Sequence, residues 1–156
     1  MRRHVIVGLT VFFAGFVAVT AAFSAGNLAK QTPIEVRVQL GTKDGDLKFV
    51  PDSLTFETGK LYKLVLTNPS NKKHYFTSAG LAAKVYTRKV QVVGGSGTMA
   101  EIKGAIREIE VYPGGTAEWW FVPVATGKLD DLQCNIKDKD GQTHAEKGMI
   151  GMITIK

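Results

Sequence analysis

The feature that most constrains this chain is an alternation of apolar and polar side chains, repeated in short runs between turn signals. Ile34, Val36, Val38 and Leu40 alternate with Glu35, Arg37 and Gln39, as in a strand with one face on a core and one in water. Leu54 and Phe56 precede a turn at Gly59-Lys60, and Tyr62, Leu64 and Leu66 alternate before Asn68-Pro69-Ser70. Ile109 and Val111 lead into Tyr112-Pro113-Gly114-Gly115, residues 117–124 return rich in aromatics, 127–133 follow, and 149–155 close the chain. Short strands at this spacing predict an all-β fold, an antiparallel β-sandwich or barrel. A short helix fits only within residues 79–90, and residues 91–98 (Gln-Val-Val-Gly-Gly-Ser-Gly-Thr) read as a loop. Trp119 and Trp120 are neighbours on one strand, so one should enter the core and the other stay partly exposed. No internal repeat or second domain is visible.

Ahead of the strands, Arg2, Arg3 and His4 precede an uncharged run from Val5 to Ala25 rich in Val, Phe and Ala. This is the pattern of a secretory signal peptide, and the run is also long enough to stay as an N-terminal membrane anchor. The expected organisation is residues 1–25 as signal peptide or anchor, 26–33 as linker, and 34–156 as one domain. On either reading the domain is exported, to a periplasmic or lumenal space, soluble or anchored by residues 5–25. The chain of 156 residues carries a net charge of +6, and without residues 1–25 there remain 18 basic against 14 acidic side chains. These are interleaved, with no basic block among aromatics, so nucleic acid is not an expected partner. Asp130, Asp131, Asp138 and Asp140 lack the spacing of a calcium loop. Gly94-Gly95-Ser96-Gly97 lacks the Lys-Ser/Thr of a phosphate loop.

Export changes the meaning of the single cysteine. With no partner for an internal disulfide, Cys134 is a free thiol, an intermolecular link or a metal ligand. Beyond residue 25 the soft donors are Cys134, His74, His144, Met99, Met149 and Met152. Cys134 ends one strand, His144 and Met149 lie in the loop before the last, and His74 follows the strand ending near Asn68. In a sandwich, strand ends distant in sequence meet at one pole. Two imidazoles and a thiolate with a long axial thioether suit a mononuclear copper ion in both Cu(I) and Cu(II), while zinc accepts the same Cys and His donors. A filled set of four leaves no position for substrate, which favours electron transfer over catalysis. Taken singly, each residue has a plainer reading: Cys134 as a small buried hydrophobe, His74 and His144 as surface histidines, Met149 and Met152 as core.

The segment from Cys134 through His144-Ala145-Glu146-Lys147-Gly148-Met149 to Ile155 resembles the closing segment of cupredoxins, the plastocyanin and azurin family of blue-copper proteins. His74-Tyr75-Phe76 is similar to the family's first histidine ligand. Leu54-Thr55-Phe56-Glu57-Thr58-Gly59-Lys60 and Val111-Tyr112-Pro113-Gly114-Gly115 also resemble it, so the likeness spans roughly residues 34–156. It implies a Greek-key β-sandwich with a short helix or loop insertion between the first His ligand and the Cys. It further implies His74, Cys134 and His144 as equatorial ligands, Met149 as the axial one, and one copper ion passing single electrons. Implied partners are exported or membrane-bound redox proteins approaching an exposed His144 edge through an apolar patch, with the protein a monomer and not an enzyme. Copper storage or delivery, and a metal-free interaction domain, are the alternatives. Two features depart from the family: nine residues separate Cys134 from His144, and residues 79–105 read as an insertion. Lengthening a surface loop costs little entropy, so a protruding polar turn can absorb the first.

Overall fold

The alternating runs pair into two sheets in a computed structural model that describes residues 26–156. The signal or anchor expectation falls on residues 1–25, outside the described residues, and no described helix is long and apolar enough to cross a membrane. One sheet holds β1 (Ile34–Leu40), β2 (Phe49–Val50), β4 (Tyr62–Thr67), β6 (Val85–Gly94), β7 (Gly97–Ile102) and β9 (Thr116–Pro123), in the order β2-β1-β4-β9-β6-β7. The other holds β3 (Ser53–Phe56), β5 (His74–Thr77), β8 (Glu108–Val111), β10 (Gly127–Gln133) and β11 (Ile150–Ile155), in the order β3-β11-β10-β5-β8. The chain changes sheet repeatedly, as Greek-key connections require. Pro51, with no N–H to give a ladder, sits where it leaves β2 for β3.

Alternation decides which side chains face inward. In β1, Val38 and Leu40 are buried while Arg37 and Gln39 are exposed. Trp119 and Phe121 of β9, Phe56 of β3 and Tyr62 of β4 form an edge-to-face cluster with ring centroids 4.8–5.2 Å apart. Trp119 is fully buried and its indole N–H donates to Thr87 Oγ1 at 3.1 Å. Trp120 lies half-buried on the outer face, its ring flanked by the cations of Lys63, Arg88 and Lys89 at 5.0–5.8 Å. The two tryptophans thus take opposite faces, as expected.

Three expectations need correction. The sandwich is mixed, because β1 pairs with β4 and β3 with β11 in parallel, each pair joined by chain that passes through other strands. Residues 91–98 are no loop: Gly94 pairs with Gly97 across a two-residue turn, and β6 and β7 make a hairpin that extends one sheet. A bulge between Thr87 and Lys89 shifts the alternation along β6, which hid the strand in the sequence. The helix of the 79–90 window is α1 (Ala79–Lys84); Ser78 caps it by accepting from the Leu81 N–H, and Ser78 and the Gly80 N–H both donate to Asp131 of β10 at 2.6 Å. Met152, expected in the core, is 53% exposed on β11, whereas Met149 is fully buried.

Truncating Trp119 to Ala should therefore cost about 3–5 kcal/mol in chemical denaturation of the metal-free protein. Met152→Ala should stay within about 0.5 kcal/mol of wild type; comparable losses for both would contradict this assignment of the core.

Candidate metal centre

Pairing of β5 with β8, His74 opposite Val111, places His74 at the first position of its strand. Cys134 directly follows β10, and the Tyr75 N–H donates to its Sγ at 3.2 Å, tying the thiol to the residue after His74. The loop beyond Cys134 folds back on itself. His144 N–H donates to Ile136 O at 2.8 Å, Ala145 N–H to Cys134 O at 2.9 Å, Met149 N–H to His144 O at 2.8 Å, and Cys134 N–H to Met149 O at 3.2 Å. These bonds bring Cys134, His144 and Met149 into one knot of backbone, and all three side chains are buried.

The outcome is a triangle of donor atoms. His74 Nδ1 lies 3.1 Å from His144 Nδ1, and Cys134 Sγ lies 3.4 Å from His144 Nδ1 and 3.9 Å from His74 Nδ1. A metal ion bound at about 2.0–2.3 Å would set two nitrogens and a sulfur about 3–4 Å apart. The outer ring nitrogens explain why these atoms face each other. His74 Nε2 is 2.9 Å from Ser70 Oγ, and Ser70 donates in turn to Asn68 Oδ1 at 2.7 Å, so the ring is the donor and Nε2 carries its proton. His144 Nε2 is 3.4 Å from Asp138 Oδ1, a carboxylate that can only accept. Both Nδ1 lone pairs therefore point inward beside the sulfur. Two unprotonated nitrogens 3.1 Å apart repel unless a cation lies between them. The residues present fit a bound metal, and buried His74, Cys134 and His144 can hold one.

Burial first, then the His144 imidazole and the Lys72 ammonium, pull the His74 pKa down to about 4, so the ring is neutral and ready to donate electrons. Burial pushes the Cys134 thiol up, against the opposing pull of the Ile136 and Tyr75 amides, so metal binding must release its proton. Gly41, at a φ of +73°, closes the floor of the site: a Cβ there would lie 2.7 Å from His74 Nε2.

Asn68, Ser70, Gly41 and Asp138 act on the site but were not legible as site residues. Asn68 is buried, and its amide also donates to Lys72 O and Val111 O at 2.7 and 2.8 Å, fastening the loop before His74 to β8. The sequence signal was Asn68-Pro69-Ser70 four residues before a histidine, read only as a turn. The expected exposed His144 edge is absent, since that ring is 1% exposed. The nine-residue spacer covers it: Lys137 bridges Thr143, and a turn at 138–141 brings Asp138 back over the ring.

No protein-family model matches the sequence, and no curated protein does. Solved structures do match. A multicopper oxidase from Campylobacter jejuni, a metallo-oxidase, aligns at a TM-score of 0.53 and 15% identity over 81% of this chain and 31% of that one. The Cu-containing nitrite reductase from Thermus scotoductus SA-01 aligns at 0.54 and 15% over 81% and 32%. The fold is cupredoxin-like. Auracyanin A, a "blue" copper protein from Chloroflexus aurantiacus, aligns at 0.48 and 16% over 80% of this chain and all (100%) of its own. The cupredoxin-like chain thus spans about a third of the oxidase and of the nitrite reductase. At such identities the likeness concerns the fold.

The depressed His74 pKa fixes a sign for the metal-free protein. Between pH 6.5 and about 4 the unfolded chain takes up a proton that the folded site refuses, so stability is full above 6.5 and falls through that window. The loss from this group is at most about 3 kcal/mol. Denaturation midpoints measured from pH 7.5 to 4 should show the fall, and His74→Gln should flatten it.

Proposed function

We propose that this protein is an exported mononuclear copper protein that carries single electrons between redox partners. The observation that carries the reading is the inward triangle of two unprotonated imidazole nitrogens and one thiol sulfur, all buried. A lone thiolate between two imidazoles, with the buried Met149 tied by its backbone to Cys134 and His144, is a donor set that favours copper over zinc. His74, Cys134 and His144 are the equatorial ligands in this proposal and Met149 the axial one. Copper held there would supply the chemistry, taking up and giving back one electron as it passes between +2 and +1.

The protein's part is to keep the donors in place while charge changes. Each ring is held at its outer nitrogen, His74 by Ser70 and His144 by Asp138, and the sulfur by the Tyr75 amide. Ligands fixed on both sides need not move when an electron arrives. The closed loop over His144 supports retention of the metal more than delivery of it. Burial of all three donors likewise supports a role without substrate turnover. Exported or membrane-bound redox proteins are the proposed partners of a monomeric domain, with residues 1–25 as its signal or anchor.

One equivalent of Cu(II) added to the purified protein should give intense visible absorption from thiolate-to-copper charge transfer. Cys134→Ser should abolish it, and reduction should be rapid and reversible with the metal retained. Ready loss of copper to a competing chelator would move the reading to delivery. Failure to bind copper at all would sink it.

A further inference from the structure

Ligation does not account for Asp138. It stands in the nine-residue spacer between Cys134 and His144, where its N–H donates to Gln142 O and its carbonyl accepts from Gly141 N–H, closing the turn. Its carboxylate is gripped from two directions: Lys72, in the loop before β5, reaches Oδ1 at 2.9 Å, and Lys147, in the loop before β11, reaches Oδ2 at 2.7 Å. Between these contacts Oδ1 meets His144 Nε2 at 3.4 Å. Lys147 also pairs with Asp140 at 2.7 Å, so two lysines and two acids alternate along one chain of ion pairs, Lys72–Asp138–Lys147–Asp140, beside the histidine. With two positive and two negative members the chain is neutral, and loss of either sign leaves the other in excess beside the site.

We propose that Asp138 is a positioning residue that fixes the His144 ring with Nδ1 inward, and that its charge biases the centre toward the more positive, oxidised metal. The inference rests on the copper reading above. A carboxylate accepting from the outer nitrogen of a ligand histidine fixes the tautomer and makes the inner nitrogen a stronger donor. A negative charge one ring away stabilises a dication more than a monocation, and partial burial at 22% exposure limits screening by water. The nine-residue spacer thus carries this carboxylate, folding it back over the ring through the Lys137–Thr143 bridge and the turn at 138–141.

The test compares full-length wild type with Asp138→Asn and Lys147→Met, using copper alone as the probe and competing chelators specific for each oxidation state. Asp138→Asn should lower the ratio of Cu(II) to Cu(I) affinity about tenfold. That is a rise in midpoint potential of about 59 mV for a one-electron couple. Lys147→Met removes the opposite charge and should raise the ratio, a reversal of sign that mere loosening of the loop would not give. In the Cu(I) form of wild type, long-range proton–nitrogen correlation spectra should show His144 protonated at Nε2. Copper bound by wild type with ratios unchanged in both variants, shifts of the same sign in both, or a His144 bonded to metal through Nε2 would each overturn the proposal. A wild type that binds no copper would instead remove the reading beneath it.

Discussion

Three electron-pair donors turned toward one another in a dry interior are the constraint on which the rest of this structure depends. Such an arrangement is unfavourable in itself, since His74 Nδ1 and His144 Nδ1 stand 3.1 Å apart with no proton assigned between them. It persists because each donor has its other valences satisfied elsewhere. Ser70 takes the outer proton of His74 and Asp138 that of His144, while the Tyr75 amide donates to the sulfur. Remove one of these and the ring beside it can rotate or change tautomer, relieving the repulsion and dismantling the site. The polar hub at Asn68 matters for the same reason. Its side chain makes four contacts, to Lys72, Val111 and twice to Ser70, so the hydroxyl that orients His74 is itself fixed.

The sandwich supplies what those contacts cannot, which is proximity. His74 and Cys134 are 60 residues apart, yet β10 and β5 are neighbours in one sheet, with Gln133 opposite Thr77. The apolar alternation that buries Phe76 on β5 and Leu132 on β10 sets that register, and the residues at the strand ends follow from it. From the facing sheet, β1 is followed directly by Gly41, whose missing side chain leaves room for the His74 ring. The core therefore acts on the site by geometry, and the polar contacts act on it by orientation.

This division explains what was legible in the sequence. Alternating runs marked β1, β3, β4 and β8, because burial on one side leaves a mark on every second residue, while β9 showed by its aromatics and β10 and β11 by the turn signals around them. The β6–β7 hairpin left a weaker mark: a bulge offsets the alternation at Thr87–Lys89, and every residue of β7 is exposed, so no inward face is written there. Of the site, the soft donors were legible because so few exist in the chain. Their supports were not. Asn68, Ser70 and Asp138 are common polar residues whose role arises only when a turn folds them onto a ring, and no local pattern announces a contact of that kind.

Burial of His144 separates this chain from the expectation of an apolar docking edge. Where a ligand histidine meets solvent, the route for an electron and the route for water coincide, and every change in charge reorders the water. Here the spacer stands between. Asp138, Lys72, Lys147 and Asp140 satisfy one another's charges, so the cover costs little to keep closed despite its polarity. In the proposed copper reading, this cover would keep water from His144 while Asp138 holds the outer nitrogen of the ring.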